Sequence, residues 1–242
     1  MYLSKLSLNP RSRAVRRDLA DCHELHRTLL SAFPQAQTEA ARDEFGLLYR
    51  IDASLRTGAV TAIVQSQIAP NWHQLPDDYL LDIENNPACK AVDGAYEALR
   101  EGRQLVFRLR ANPTRKIDTK TGPDGKKNNG KRVEIRGEEN QIAWLHRKAD
   151  MHGFRLIRLR VNPGIVNVRV APENKVFGWR GGNGEDKDAN GGARRRLTFG
   201  AVLFEGLLEI TDMERFKQTL ADGIGSGKAY GFGLLSIAPA RA

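Results

Sequence analysis

A chain of 242 residues is long enough for one large domain or two small ones, and it can bury a substantial core. Hydrophobic residues make up 40% and charged residues 28% of it, a balance that suits a soluble fold, and no apolar run approaches the ~20 residues of a membrane-spanning helix. The formal net charge of +9 points to a polyanion, with nucleic acid ahead of an acidic membrane surface because no basic amphipathic helix is evident. The plainer alternative is a basic surface that serves solubility alone.

The elements read as follows. MYLSKLSLNP opens on an alternating strand at 2–8 and lacks the long apolar centre of a secretion signal. Asp21 followed by Glu24 forms a capping-box-like pair, which predicts a helix over 21–33 with an apolar stripe of Cys22, Leu25, Leu29 and Phe33. Strands at 46–52 and 59–67, a helical stretch around 90–100 and a strand at 103–111 complete a first unit. A second unit repeats the order: a strand at 132–136, a helix at 138–151 with Ile142, Leu145 and Ala149 in its stripe, strands at 154–161 and 164–171, and a hairpin over 172–196. A strand-rich segment at 197–211, a helix at 213–222 and a last strand at 232–238 follow. Two consecutive βαββαβ units imply an α+β fold of two tandem ferredoxin-like domains, 1–111 and 132–242, joined by a basic linker at 112–131, with a glycine-rich loop before the last strand. Cys22 and Cys89 have no metal-ligand spacing, which fits a reducing cytoplasm.

Positive charge is concentrated in three places. NPTRKIDTKTGPDGKKNNGKR carries Arg115, Lys116, Lys120, Lys126, Lys127, Lys131 and Arg132 against Asp118 and Asp124. FRLIRLRV interleaves Arg155, Arg158 and Arg160 with apolar residues, as in a strand with one basic face. GWRGGNGEDKDANGGARRRL sets Trp179 and Arg180 before a glycine-rich tip and Arg194, Arg195 and Arg196 after it, as in a hairpin with basic shoulders. A single run of this kind is usually a solvated edge. Three runs, one beside an aromatic, favour a nucleic-acid surface.

DGIGSGKAYGFGLLS holds Gly223, Gly225, Gly227, Gly231 and Gly233 around Lys228, and at first sight resembles a phosphate loop. G-x-x-x-x-G-K-[ST] aligned on Gly227-Lys228 requires glycine at 222 and a hydroxyl at 229, where Asp222 and Ala229 stand. G-x-G-x-x-G fails as well, with Lys228 or Tyr230 in place of the third glycine. A nucleotide cofactor is therefore not expected. The remaining reading is a tight turn with positive φ, which by itself does not account for five glycines.

Five histidines are present: His23, His26, His73, His146 and His152. His23 and His26 fall in or just after the first turn of the 21–33 helix, His26 at the edge of the apolar stripe and His23 and Arg27 further round toward solvent. A helix N-terminus favours an anion, so a phosphodiester held there would lie beside an imidazole able to move protons near neutral pH. RNA brings its own nucleophile, the 2′-hydroxyl, and acid–base help suffices to cleave it without metal. The alternative is a helix-edge histidine pair with no catalytic role. No partner at metal-ligand spacing accompanies the pair, no nucleophile motif is present, and no role is assigned to His73, His146 or His152.

Several stretches then carry a resemblance. MYLSKLSLNPRSRAVRRDLADCHELHRTL, FRLRANPTRK, QIAWLHRKADMHGFRL, AVLFEGLLEITD and GIGSGKAYGFGLLSIAP, in this order over almost the whole chain, resemble the CRISPR repeat-processing endoribonucleases of the type I-E Cascade complex, the CasE family. The resemblance implies two ferredoxin-like domains and metal-independent cleavage at the 3′ base of each repeat hairpin, leaving a 2′,3′-cyclic phosphate and a 5′-hydroxyl. It also implies retention of the product RNA, assembly with other Cascade subunits, and neither cofactor nor membrane. His26 matches the family's catalytic histidine. Where members often carry tyrosine three residues earlier this chain has His23, whose role as second proton carrier, RNA-positioning group or bystander stays open. Arg27, Arg115, Lys116, Lys120, Arg155, Arg158, Arg180 and Lys228 are the expected RNA contacts. The glycine loop is expected to approach RNA or the neighbouring domain, away from the bond that is cut. A non-catalytic RNA-hairpin-binding protein of the same fold is the alternative.

Overall fold

The computed structural model describes residues 1–36, 41–54, 56–117, 132–180 and 195–240, with the backbone alone at Ala41 and Arg180. The first domain begins with β1 (Tyr2–Leu8), whose alternate residues Ser4, Leu6 and Leu8 are buried, as an alternating strand over a one-sided core requires. Two short helices follow, α1 (Arg13–Ala20) and α2 (Cys22–Leu30), and then α3 (Ala41–Glu44). Asp21 separates α1 from α2. Its extended backbone (φ −135°, ψ 105°) ends one helix, and its carboxylate caps the next. β2 (Leu48–Ala53), β3 (Val60–Ser66) and β4 (Ala88–Ala91) complete an antiparallel sheet in the order β2-β3-β1-β4. This is the ferredoxin-like strand order, with one departure. A single 3₁₀ turn at Trp72–Gln74 stands where the second helix would lie, with Trp72 buried and its Nε1–H donated to Ser4 Oγ at 3.1 Å.

The helix expected around 90–100 is the five-residue α4 (Asp93–Glu97), which follows β4 and leads out of the first domain. The strand expected at 103–111 is β5 (Gln104–Ala111), and it opens the second domain rather than closing the first. It pairs with strands near the C-terminus, and its buried residues Leu105, Phe107, Leu109 and Ala111 share one core with Trp144, Phe204 and Phe216. The break between sheets therefore falls between β4 and β5, not after residue 111. Alternation marks a buried face but does not say which helices cover it. Within 112–131, the expected linker, β6 (Thr114–Lys116) pairs with β7 (Arg132–Glu134) as a two-stranded ribbon; residues 118–131, including Lys120, lie outside those described.

The second domain continues with α5 (Glu138–Met151), β8 (Phe154–Leu156), β9 (Val168–Arg180), β10 (Arg195–Ile210), α6 (Met213–Asp222) and β11 (Leu235–Pro239). Its antiparallel sheet runs β11-β5-β10-β8, with β9 also against β10, so the same ferredoxin-like order recurs. β8 is shorter than the strand expected at 154–161. Arg158 lies beyond it, in an isolated bridge to Val166. Each domain has its own core, one around Leu6, Leu29, Leu47 and Tyr49 and the other around Leu109, Trp144 and Phe204. Polar contacts seal the seam between them: Gln65 Nε2–H donates to the Leu220 carbonyl at 2.6 Å, Arg50 Nη1 to Ser236 Oγ at 2.9 Å, and Tyr49 O–H to the Ala229 carbonyl at 3.1 Å.

Candidate active site

The stripe on α2 decides where its histidines point. Cys22, Leu25 and Leu29 are buried, so His23 and His26, three residues apart, share the flank between that stripe and the surface. The flank is covered by Tyr230. Its ring centroid lies 6.3 Å from that of His23 and 6.2 Å from that of His26, and Phe199 on β10 backs it at 5.0 Å. His23 is thus half-covered rather than turned to solvent.

Tyr230 comes from the glycine-rich loop, which therefore does not stand apart from the histidines as expected. All five of its glycines have positive φ. Gly231 shows why. It sits at φ +82°, and a Cβ there would lie 3.1 Å from the Tyr49 ring of the first domain. Gly223, at φ +74°, is likewise pressed between the Gly233 carbonyl and Leu48. Loop amides are engaged internally, with Ile224 N–H donating to the Gly233 carbonyl at 2.9 Å, Gly233 N–H to the Arg110 carbonyl at 2.8 Å and Tyr230 N–H to the Gly227 carbonyl at 2.8 Å. Instead of cradling phosphate, the loop is folded tightly enough to wedge Tyr230 into the domain seam.

The N-terminus of α2 is also not open to an anion, contrary to expectation. Asp21 Oδ1 accepts from His23 N–H at 2.9 Å and from Trp179 N–H on β9 at 3.3 Å. Gly178 closes over this pair so tightly that a Cβ there would sit 2.7 Å from Cys22 Sγ, 2.8 Å from Asp21 Oδ1 and 3.2 Å from His23 N. The β9–β10 hairpin is thereby stapled to the helix that carries the histidines.

Burial is the first cause that lowers the pKa of His26 to about 4, with the charges of His23 and Arg42 adding to it. Its Nδ1 is buried with no hydrogen-bond partner among the described residues. The imidazole is therefore neutral at physiological pH and able to accept a proton. The neighbouring Cys22 is no nucleophile, since burial and Asp21 push its thiol up to about 12. Among the described residues no three His, Cys, Asp or Glu side chains converge as a metal site.

The other expected residues divide. Lys228 is half-buried in the turn beside Tyr230. Arg27 is exposed on α2 and paired with Glu24 at 3.1 Å. Arg115 and Lys116 are exposed on the β6–β7 ribbon. Arg155 pairs with Glu209 at 2.7 Å and Arg158 donates to the Pro163 carbonyl at 2.7 Å, both at the β8 edge of the second sheet, so they are not among the groups around His26. Arg180 faces Arg195 across the hairpin, and Lys120 is outside the described residues. Three residues escaped the sequence. Tyr230 breaks a glycine pattern and carries no other local signal. Arg42 stands in a segment with no motif. Phe177 is 38% exposed along the hairpin, with the Arg196 guanidinium 4.6 Å from its ring centroid, and it joins the expected Trp179, 41% exposed, in a surface suited to stacking.

Comparison with known proteins places the whole chain in one family. The family model described as "CRISPR associated protein" matches residues 1–239. The CRISPR-associated endoribonuclease Cse3 of Thermus thermophilus is 37% identical over 99% of this chain and 100% of its own length. The Cascade subunit CasE of Escherichia coli is 31% identical over 99% and 100%. Among solved structures, Cse3 bound to a 19 nt RNA superposes with a TM-score of 0.74 at 36% identity, covering 99% of this chain and 100% of that one. Thermus thermophilus Cse3 with an RNA representing a pre-cleavage complex gives 0.71 at 35%, covering 98% of both chains.

Proposed function

That this chain belongs to the family of CRISPR-associated proteins is the premise from which we propose its activity: endoribonucleolytic cleavage of precursor CRISPR RNA at the 3′ base of the repeat stem-loop, without metal. One observation carries the site assignment: two histidines lie together under Tyr230, and His26 is held neutral by burial and by the charges of His23 and Arg42. The 2′-oxygen attacks the adjacent phosphorus while its proton passes to a histidine. The P–O5′ bond breaks, and the departing 5′-oxygen takes up a proton. The products are a 2′,3′-cyclic phosphate and a 5′-hydroxyl, with no other reactant consumed. His26 begins neutral and serves as the base. His23, three residues away, is placed to supply or relay the second proton. Arg42 and Lys228 stabilise charge growing on the phosphoryl oxygens. Proton transfer of this kind contributes roughly 10²–10⁴-fold.

The hairpin with Phe177, Trp179 and Arg196 holds the stem. A-form RNA hides its base edges in a deep, narrow groove, so backbone and shape contacts dominate. The protein retains the stem after the cut and enters the Cascade complex with it, in the cytoplasm. No helix among the described residues is long and apolar enough to cross a membrane. The test is a repeat hairpin incubated in excess EDTA with the wild type and with His26→Ala. Cleavage by the wild type, and binding with at least 10²-fold slower cleavage by the variant, is the expected result. Full activity of His26→Ala overturns the assignment, loss of wild-type activity in EDTA overturns the metal-free step, and tight binding without cleavage by the wild type supports the alternative of a non-catalytic hairpin-binding protein.

A further inference from the structure

Around the glycine loop and α5, several cations are held together. Trp144 and Lys148, four residues apart, share one face of α5, and His152 is its C-cap residue. That face packs on the glycine loop and on α6: a Cβ at Gly225 would lie 3.3 Å from the Trp144 ring, and His152 Nδ1 is 2.8 Å from Thr219 Oγ1, one turn before Asp222. Lys228 projects from the same loop, its Cγ 3.2 Å from where a Cβ on Gly233 would stand. From the first domain, Arg42 reaches the same seam and acts electrostatically on both His26 and Lys228. Lys228 in turn acts on His152, and Lys148 feels Arg132 and Arg147. Arg147 lines a groove with Arg115, Arg136, Asn140 and Glu134 beside the β6–β7 ribbon, where Glu134 is paired with Arg136 at 3.3 Å and Lys175 at 4.0 Å and leaves Arg115 and Arg147 as the further cations. The sequence of cations thus runs from His26 through Arg42, Lys228 and Lys148 to Arg147 and Arg115.

Asp222 is the carboxylate that favours the charged forms of Arg42, Lys228 and His152 here, and it accepts a hydrogen bond from Gln218 Nε2 at 2.7 Å. Like charges gathered on partly desolvated side chains raise the energy of the free protein, and a polyanion laid along them relieves it. A nuclease must hold the strand on both sides of the bond it cuts, and the exposed aromatics of the hairpin are assigned to the stem. We propose that this cationic track binds the phosphates of the single-stranded RNA flank that continues beyond the cut. The exposed aromatics suited to stacking bases are Phe177 and Trp179 on the hairpin, whereas Trp144 beside the track is buried. The track therefore reads backbone and not sequence. This rests on the reading of the protein as a repeat-RNA nuclease.

The test uses uncleavable hairpins carrying a 2′-deoxy nucleotide at the cut, with and without an eight-nucleotide 3′ flank of either repeat-adjacent or polyuridine sequence, and it measures affinity rather than cleavage. Arg147→Ala/Lys148→Ala is compared with the wild type and with Lys90→Ala on the exposed β4. The flank tightens wild-type binding equally for both flank sequences. The double variant weakens flanked RNA by roughly tenfold or more and shallows its log–log salt dependence by ~1.4, while its affinity for flank-free hairpin stays within twofold. Lys90→Ala matches the wild type. Equal weakening of flanked and flank-free RNA, or no weakening of either, overturns the track. A wild type indifferent to the flank overturns it while leaving the nuclease reading intact. A wild type that binds neither RNA overturns both.

Discussion

His26 should write its burial into the pH dependence of folding. Its proton affinity falls from the ordinary 6.5 to about 4 in the folded protein. Between those values the unfolded chain binds a proton that the folded chain refuses, so stability is full above pH 6.5 and declines as pH falls toward 4. At pH 5 the loss from this group alone is roughly 2 kcal/mol. Carboxylates and the other histidines also titrate, and a comparison removes their contribution. Urea denaturation followed by circular dichroism is run at pH 7 and pH 5 on the wild type and His26→Asn. The wild type should lose roughly 2 kcal/mol more than the variant over this step. Identical losses in the two proteins would refute the claim that His26 is held neutral by its surroundings. The same cause predicts that an uncleavable RNA, by setting phosphate charge against Arg42 and His23, raises the His26 midpoint in a proton NMR titration.

Other changes address the frame around the histidines. Gly178→Ala drives a methyl into Cys22 and Asp21 and loosens the cap of α2; overpacking and cap loss together should cost about 2–4 kcal/mol in denaturation, with cleavage falling more than hairpin binding. Gly231→Ala combines a positive φ with a close approach to Tyr49 and should lower stability by about 1–3 kcal/mol, whereas Gly102→Ala, also at positive φ but with nothing within 4 Å, should cost less. Tyr49→Phe removes the bond to the Ala229 carbonyl and should cost about 1 kcal/mol, measured by thermal melting. His23→Tyr tests the departure from the family pattern: single-turnover cleavage at or above the wild-type rate would show that His23 is not the proton donor.

The helices at 138–151 and 213–222 were legible almost to the residue. At 138–151 Leu145 and Ala149 of the expected stripe are buried and Ile142 is partly so, and at 213–222 Phe216 and Leu220 are buried while Asp212 supplies the N-cap. The strand at 2–8 and the α2 stripe were legible for the same reason. The segment at 103–111 was correctly read as a strand but placed in the wrong domain, since alternation in Leu105, Phe107 and Leu109 reports a buried face and not its partner. The short β8 and the four-residue α3 leave too few residues for any period to show.

Charge, the histidine spacing, the cap at Asp21 and the failure of Gly227-Lys228 as a phosphate loop were all decided by residue identity, because each is a local property of the chain. What the five glycines are for was not. Their positive φ values fold the loop until Tyr230 reaches His23 and His26 from about two hundred residues away, and Gly178 joins the hairpin to the same helix. Those contacts exist only once the two domains meet at one seam, and the Arg42 charge that helps keep His26 neutral comes from a helix of the same domain that no motif marks. Long-range packing makes that choice, and no local pattern encodes it.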